Sequence, residues 1–138
     1  MISVEYVGGV SRWAKLKSSG VPTVAALYSF RYDVDLVPAM LQNLSPMVDA
    51  FVSFDDRNAD DLFSSEPKRR AALLEAAREI GADWILAVDP DERFEKGFAE
   101  KVRELIALDE PVAWSFRLRE MYRADAYRVD GLWGQKRV

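Results

Sequence analysis

Apolar residues along the chain fall into short blocks of two alternating kinds, and their order predicts the fold. Thr23 to Ser29 (Thr-Val-Ala-Ala-Leu-Tyr-Ser) is a compact, partly β-branched run after Gly20 and Pro22, the pattern of a buried strand. Asp35 can then cap a helix in which Val37, Met40, Leu41 and Leu44 recur at helical spacing, ended by Ser45-Pro46. Ala50 to Phe54 reads as a second strand. It exits into Asp55-Asp56-Arg57-Asn58, and a polar loop runs on to Ser65. Ser64 or Ser65 with Glu66 and Pro67 opens a helix whose stripe is Leu73, Ala76, Ala77 and Ile80, closed by Gly81. Asp83 to Val88 is the third strand; Phe98, Val102, Leu105 and Ile106 mark another helix, stopped near Pro111. Val112 to Leu118 reads as a fourth strand, with Trp114 and Phe116 on one face and Ser115 and Arg117 on the other. The first twenty residues carry a weaker pattern, in which Trp13 and Leu16 could pack an accessory helix. This β-α-β-α-β-α-β order predicts an α/β fold, an open, mostly parallel sheet with helices on both faces, in a single domain spanning residues 1–138.

Composition narrows the chemistry more than the fold. The chain has 138 residues, 49% hydrophobic and 30% charged, a globular composition with enough apolar material for a core. No apolar run approaches the roughly 20 residues that span a bilayer, and no signal peptide is visible, so a cytoplasmic location follows by default. Cysteine and histidine are both absent. Thiolate zinc sites, disulfides and cysteine nucleophiles are thereby excluded, and any metal must be a hard cation such as Mn or Mg held by oxygen. A net charge of -4 argues against a nucleic-acid partner.

The most informative stretch is Trp84-Ile-Leu-Ala-Val-Asp-Pro-Asp-Glu-Arg93, an apolar run that breaks into a cluster of acids. In open α/β sheets ligands bind outside the carboxyl ends of the strands. Three expected strands end in Ser29-Phe30-Arg31, Asp55-Asp56 and Asp89-Pro90-Asp91. If those strands are neighbours, the exits line one crevice, where carboxylates one residue apart can face a divalent ion that also holds a diphosphate.

On these residues the chain resembles the family-two glycosyltransferases, which have the nucleotide-sugar-binding GT-A (Rossmann-like) fold. The likeness rests on Thr23 to Ser29, on the second strand ending Phe51-Val-Ser-Phe-Asp-Asp56, on the helix from Lys68 to Ile80, and on Gly81 to Glu92, whose Asp89-Pro90-Asp91 is a DxD motif in the family's position. It covers roughly residues 22–118. The resemblance implies a metal-dependent transfer of sugar from a nucleoside-diphosphate sugar, UDP-sugar favoured, to an acceptor hydroxyl whose identity is unknown. It implies that Asp55 or Asp56 contacts the base or ribose, that Asp89 is a sugar-nucleotide contact and Asp91 the metal ligand, and that the backbone near Ser29 and Arg31 cradles the base. Arg69 or Arg70 could reach the same pocket, although the family's usual Ala-Arg-Asn segment is missing from this helix. The acceptor base of such enzymes lies well after the DxD. Here Glu120, Asp125 and Asp130 are the available acids, with Asp130 chosen because Gly131 and Trp133 beside it suit a turn that presents an acid and an aromatic platform. The alternative is a truncated or non-catalytic nucleotide-sugar-binding module.

Each signal has a plainer reading. Asp89, Asp91 and Glu92 could cap the next helix. Asp55-Asp56 with Asn58 could be only a turn. Tyr122, Tyr127, Trp133 and the arginines between them could be a half-buried edge rather than a sugar-stacking surface. Lys68-Arg69-Arg70 suits a solvated first turn, although cations at a helix start hint at an anionic neighbour. A phosphatase of the haloacid dehalogenase kind would place its DxD on the first strand and Thr or Val where Arg93 stands, and a receiver domain would need a lone acid on its third strand and a later Lys.

Overall fold

A computed structural model describes residues 1–58, 66–123, 126–127 and 136–137. The chain divides into two compact units, Met1–Leu108 and Asp109–Val138. The first contains β1 (Ile2–Tyr6), α1 (Gly9–Ser19), β2 (Val24–Phe30), α2 (Val37–Leu44), β3 (Ala50–Asp55), α3 (Glu66–Glu79), β4 (Trp84–Ala87) and α4 (Phe98–Ile106). Its sheet is four-stranded and mixed, in the order β1-β3-β2-β4. β2 pairs in parallel with β3 and β4, whereas β1 pairs antiparallel with β3.

β2 is the centre of the unit because its side chains are buried on both faces. On one face Val24, Ala26 and Tyr28 meet Met40 and Leu44 of α2 and Val102 and Ile106 of α4. On the other, Ala25 and Leu27 meet Leu73 and Ala77 of α3. Ala25 and Ala26 are fully buried, and such small side chains let helices approach the central strand from either side. From β2 the chain crosses to β3 on one side and then back over β2 to β4 on the other, with α2 and α3 on opposite faces. The strand order therefore reverses at β2, the kind of switch point at which open α/β sheets bind ligands.

The α/β class and the three parallel strands agree with the sequence expectation, with two corrections. The fourth strand of the sheet is β1, at the amino terminus; Gly8 and Gly9, both at positive φ (78° and 83°), turn it into α1, where Trp13 is buried. Residues 112–118 do not supply that strand. Within 112–118 the strand is β5 (Phe116–Arg117), which belongs to the second unit and pairs antiparallel with β8 (Lys136–Arg137), while β6 (Met121–Arg123) pairs with β7 (Ala126–Tyr127). Trp114 lies outside the strand and is exposed, so the alternation of Trp114 and Phe116 does not report a buried face. Asp35 does not cap α2: a 3-10 turn over Val34–Leu36 precedes it, with Pro at the start of the helix. The cap expected at Ser64 or Ser65 lies outside the described residues. Among the described residues no helix is long and apolar enough to cross a membrane.

Candidate functional site

β3, β2 and β4 run in parallel side by side, so Asp55-Asp56, Phe30-Arg31 and Val88-Asp89 leave the sheet at one end. The two acids after β3 have different surroundings. Asp55 closes a turn on Arg57, whose backbone N–H and guanidinium both donate to it, the shortest contact being 2.7 Å. The guanidinium hydrogen bond holds the Asp55 carboxyl down at about 2. Asp55 is thus part of a turn with Arg57.

Asp56 is buried, 7% exposed. Its Oδ2 accepts from Arg69 of α3 at 2.6 Å and lies 3.9 Å from the Arg31 guanidinium, while its backbone N–H donates to the Phe30 carbonyl at 3.0 Å. Its Oδ1 is buried with no hydrogen-bond partner among the described residues. A buried acceptor without a donor costs roughly 1–3 kcal/mol, so in a folded protein it asks for an explanation. The cations at the start of α3 divide likewise. Arg70 pairs with Glu66 in solvent, and Arg69 is the one with a buried anionic neighbour.

The acidic loop after β4 is built differently. Pro90 is fully buried while Asp89 and Asp91 on either side are exposed, so a ring that cannot donate a backbone hydrogen bond anchors the loop and both carboxylates face out. The Asp89 N–H donates to Glu92 Oε1 at 2.8 Å, and the Glu92 N–H donates to the Asp89 carbonyl at 2.9 Å. Glu92 is thus engaged by the loop itself. The carboxylates of Asp89 and Asp91 meet no partner among the described residues. None of these acids caps α4, which starts at Phe98 behind Gly97 at φ 91°. The helix-capping reading of the DxD is therefore excluded.

Among the described residues no group of three or more carboxylates could hold a metal by itself. Asp89 and Asp91, both exposed, could hold magnesium or manganese only in the other way, in which one or two carboxylates share the ion with water and ligand phosphates. Ser29 and Arg31 lie at the exit of β2, where Arg31 donates its backbone N–H to Asp33 Oδ1 at 3.0 Å and stacks its guanidinium over Tyr32. Phe30, which the sequence places in this exit without a role, is half-buried there with the Arg57 guanidinium over its ring. An aromatic as the last residue of a strand, flanked by a cation, was the signal for it. Asp125 and Asp130 lie outside the described residues. Glu120 is exposed in the second unit.

Compared with protein families, curated proteins and solved structures, the chain matches none.

Proposed function

We propose that the first unit is a GT-A-type domain that binds a nucleoside-diphosphate sugar across the carboxyl ends of β3, β2 and β4, and that the protein is a glycosyltransferase. The observation that carries this reading is Asp56, a buried carboxylate with one oxygen held by Arg69 and the other without a donor among the described residues. An acceptor beside a guanidinium complements a base edge carrying a ring N–H next to a carbonyl. Uracil and guanine have that edge, and neutral cytosine and adenine do not; the smaller uracil is the base the resemblance favours. A donor that reaches Oδ1 must part the atoms above it, so binding there would be coupled to a local opening. Beyond the base, Asp89 and Asp91 present two negative charges that would repel a diphosphate by themselves. Asp91 would hold Mn or Mg, with Asp89 toward the sugar-nucleotide, and the ion's charge would offset that repulsion. When bound, such an ion supplies neutralisation of charge on the departing diphosphate.

Donor binding and transfer are separable. Transfer also needs a base for the acceptor hydroxyl, typically worth about 10²–10⁴-fold, for which the sequence offers Glu120, Asp125 and Asp130. Turnover of a UDP-sugar separates the enzyme from a binding module of the same construction. Calorimetry with UDP, CDP, ADP and GDP, each with and without Mn, tests the donor site first. The expected result is metal-dependent binding with UDP ahead of CDP and ADP, weakened in Asp91→Asn. Absence of UDP binding, or affinity indifferent to both base and metal, would sink the proposal.

A further inference from the structure

The ten residues between Ala87 and Phe98 contain no helix or strand, and a loop of that length is ordinarily mobile. This one is fastened along its length. Val88 donates its N–H to the Leu27 carbonyl at 3.1 Å, extending the parallel pairing with β2 beyond the strand. At the far end the side-chain amide of Asn43 in α2 bonds both ways with the backbone of Phe94, donating to its carbonyl at 3.0 Å and accepting from its N–H at 2.8 Å. The Phe94 ring stacks on Phe98, with centroids 4.8 Å apart.

Between these ends Arg93 makes the connection that matters to the site. Nη1 donates to the carbonyls of Pro90 at 2.5 Å and Glu92 at 2.7 Å, inside the acidic loop; Nη2 donates to the Leu36 carbonyl at 3.0 Å, in the 3-10 turn that follows β2. The start of that turn, Asp33, is held by the backbone N–H of Arg31, whose guanidinium lies 3.9 Å from Asp56. An unbroken series of contacts therefore runs from the buried carboxylate to the backbone of the DxD, with one planar guanidinium spanning its gap. Among the described residues Arg93 donates to backbone carbonyls and to no side-chain oxygen. It acts on backbone, which suits a role in setting position.

Resting on the nucleotide reading above, we infer that Arg93 is a positioning residue that fixes the distance between the nucleoside pocket at Asp56 and the acidic loop at Asp89 and Asp91, so that the two together recognise a diphosphate of one length. A ligand that fills only the nucleoside pocket does not feel that distance; a ligand that bridges to the metal does. The quantity governed by Arg93 is then the gain in affinity of UDP over uridine in the presence of Mn. Partners that orient a metal-binding group typically matter by 10–100-fold, and that gain should fall by about this factor in Arg93→Met, with uridine affinity unchanged. Lysine keeps the charge but not the planar fork. Arg93→Lys should therefore lose most of the gain as well, whereas a direct phosphate contact by Arg93 would survive that substitution.

The test is calorimetry of uridine and UDP, with Mn, on the full chain and on both variants, together with amide exchange at Asp89 and Glu92 without ligand. Loss of the UDP gain with retained uridine binding, and faster exchange of the two amides, is the expected result. Unchanged uridine binding also reports that the domain is folded, and Arg93→Lys carries the test if Arg93→Met does not fold. A UDP gain kept in full by either folded variant overturns the positioning role alone. No UDP gain in the unaltered protein overturns the nucleotide reading, and the role of Arg93 with it.

Discussion

The two ends of the same sheet both carry aspartates facing arginine or lysine, yet they are wired in opposite ways. At the amino ends of the parallel strands Asp49 is 1% exposed; Oδ2 accepts from the Val24 N–H at 3.0 Å, and Oδ1 meets Arg12 of α1 and Arg103 of α4, each at 3.3 Å. Asp83 at that end accepts from the Thr23 N–H at 2.8 Å, from the Thr23 hydroxyl at 3.0 Å and from Lys17 of α1 at 3.3 Å. Both oxygens of each are used, and each acid ties a helix to the sheet. At the carboxyl ends Asp56 keeps one oxygen without a donor among the described residues, and Asp89 and Asp91 are exposed. Saturated acids hold a fold together. Unsaturated ones, collected at a switch point, are where the proposed ligand would bind.

The largest expected effect lies at the saturated end. Asp49→Ala leaves the buried Val24 N–H without an acceptor and releases two helices, and should cost roughly 2–3 kcal/mol in urea unfolding followed by tryptophan fluorescence. Because Arg12 and Arg103 are themselves substantially exposed and can be hydrated, the full cost of a broken buried ion pair is not expected. Nucleotide affinity of the folded variant should be unchanged, and a large loss of affinity would erase the distinction between the ends.

At the unsaturated end the converse holds. Asp56→Asn keeps the size and an acceptor for Arg69 but can turn an amide donor toward a ligand N–H, so UDP affinity should drop about tenfold, about 1.4 kcal/mol, with little change in unfolding. A stability loss as large as that of Asp49→Ala, without a loss of binding, would make Asp56 another structural acid.

A smaller effect sharpens the contrast through pH. Burial alone would raise the Asp83 carboxyl, but hydrogen bonds from Thr23 and Lys17 outweigh it and hold it below the ordinary range. Its contribution is therefore complete above the ordinary carboxylate pKa and is lost as pH falls through the depressed folded value. Asp83→Asn should cost about 1 kcal/mol at neutral pH, given its partial exposure, and the difference from the unaltered protein should close in acid. A difference independent of pH would remove the charge from the account.

The smallest expected effect is at Asp55. Arg57→Ala should return the Asp55 carboxyl from about 2 toward 3.8, read by NMR titration, with no measurable change in melting temperature. A midpoint that stays near 2 would mean that something other than Arg57 holds it.

How far these features could be read in advance depended on what local pattern encodes. The three parallel strands and three of the helices were legible because each is an apolar block with the right period and a stop signal. β1 was passed over, although Ile2, Val4 and Tyr6 alternate ahead of Gly8-Gly9, because an edge strand with Ser3 and Glu5 exposed carries a weak apolar signal. Residues 112–118 show the reverse error, since alternation reports an extended segment but not which partner it finds. The acids at the strand exits were visible as types, and their roles were not. Which of Asp55 and Asp56 is buried, and which arginine of Arg69 and Arg70 reaches it, depends on how α3 docks, as does the part of Asp49, an acid between apolar Val48 and Ala50. Asp125 and Asp130 lie outside the described residues.

β1 runs against its neighbours, so its first residue lies at the end of the sheet where the other strands finish: the Met1 carbonyl accepts the Asp55 N–H at 3.1 Å. Any polypeptide joined ahead of Met1 would leave the sheet beside Asp55 and Asp56, at the rim of the proposed nucleoside pocket. A purification tag fused there would compete with the ligand for space and bring its own histidines to a chain that has none. Apparent metal binding measured with that tag in place would report the tag, and removing it is a condition for reading the acidic loop at all.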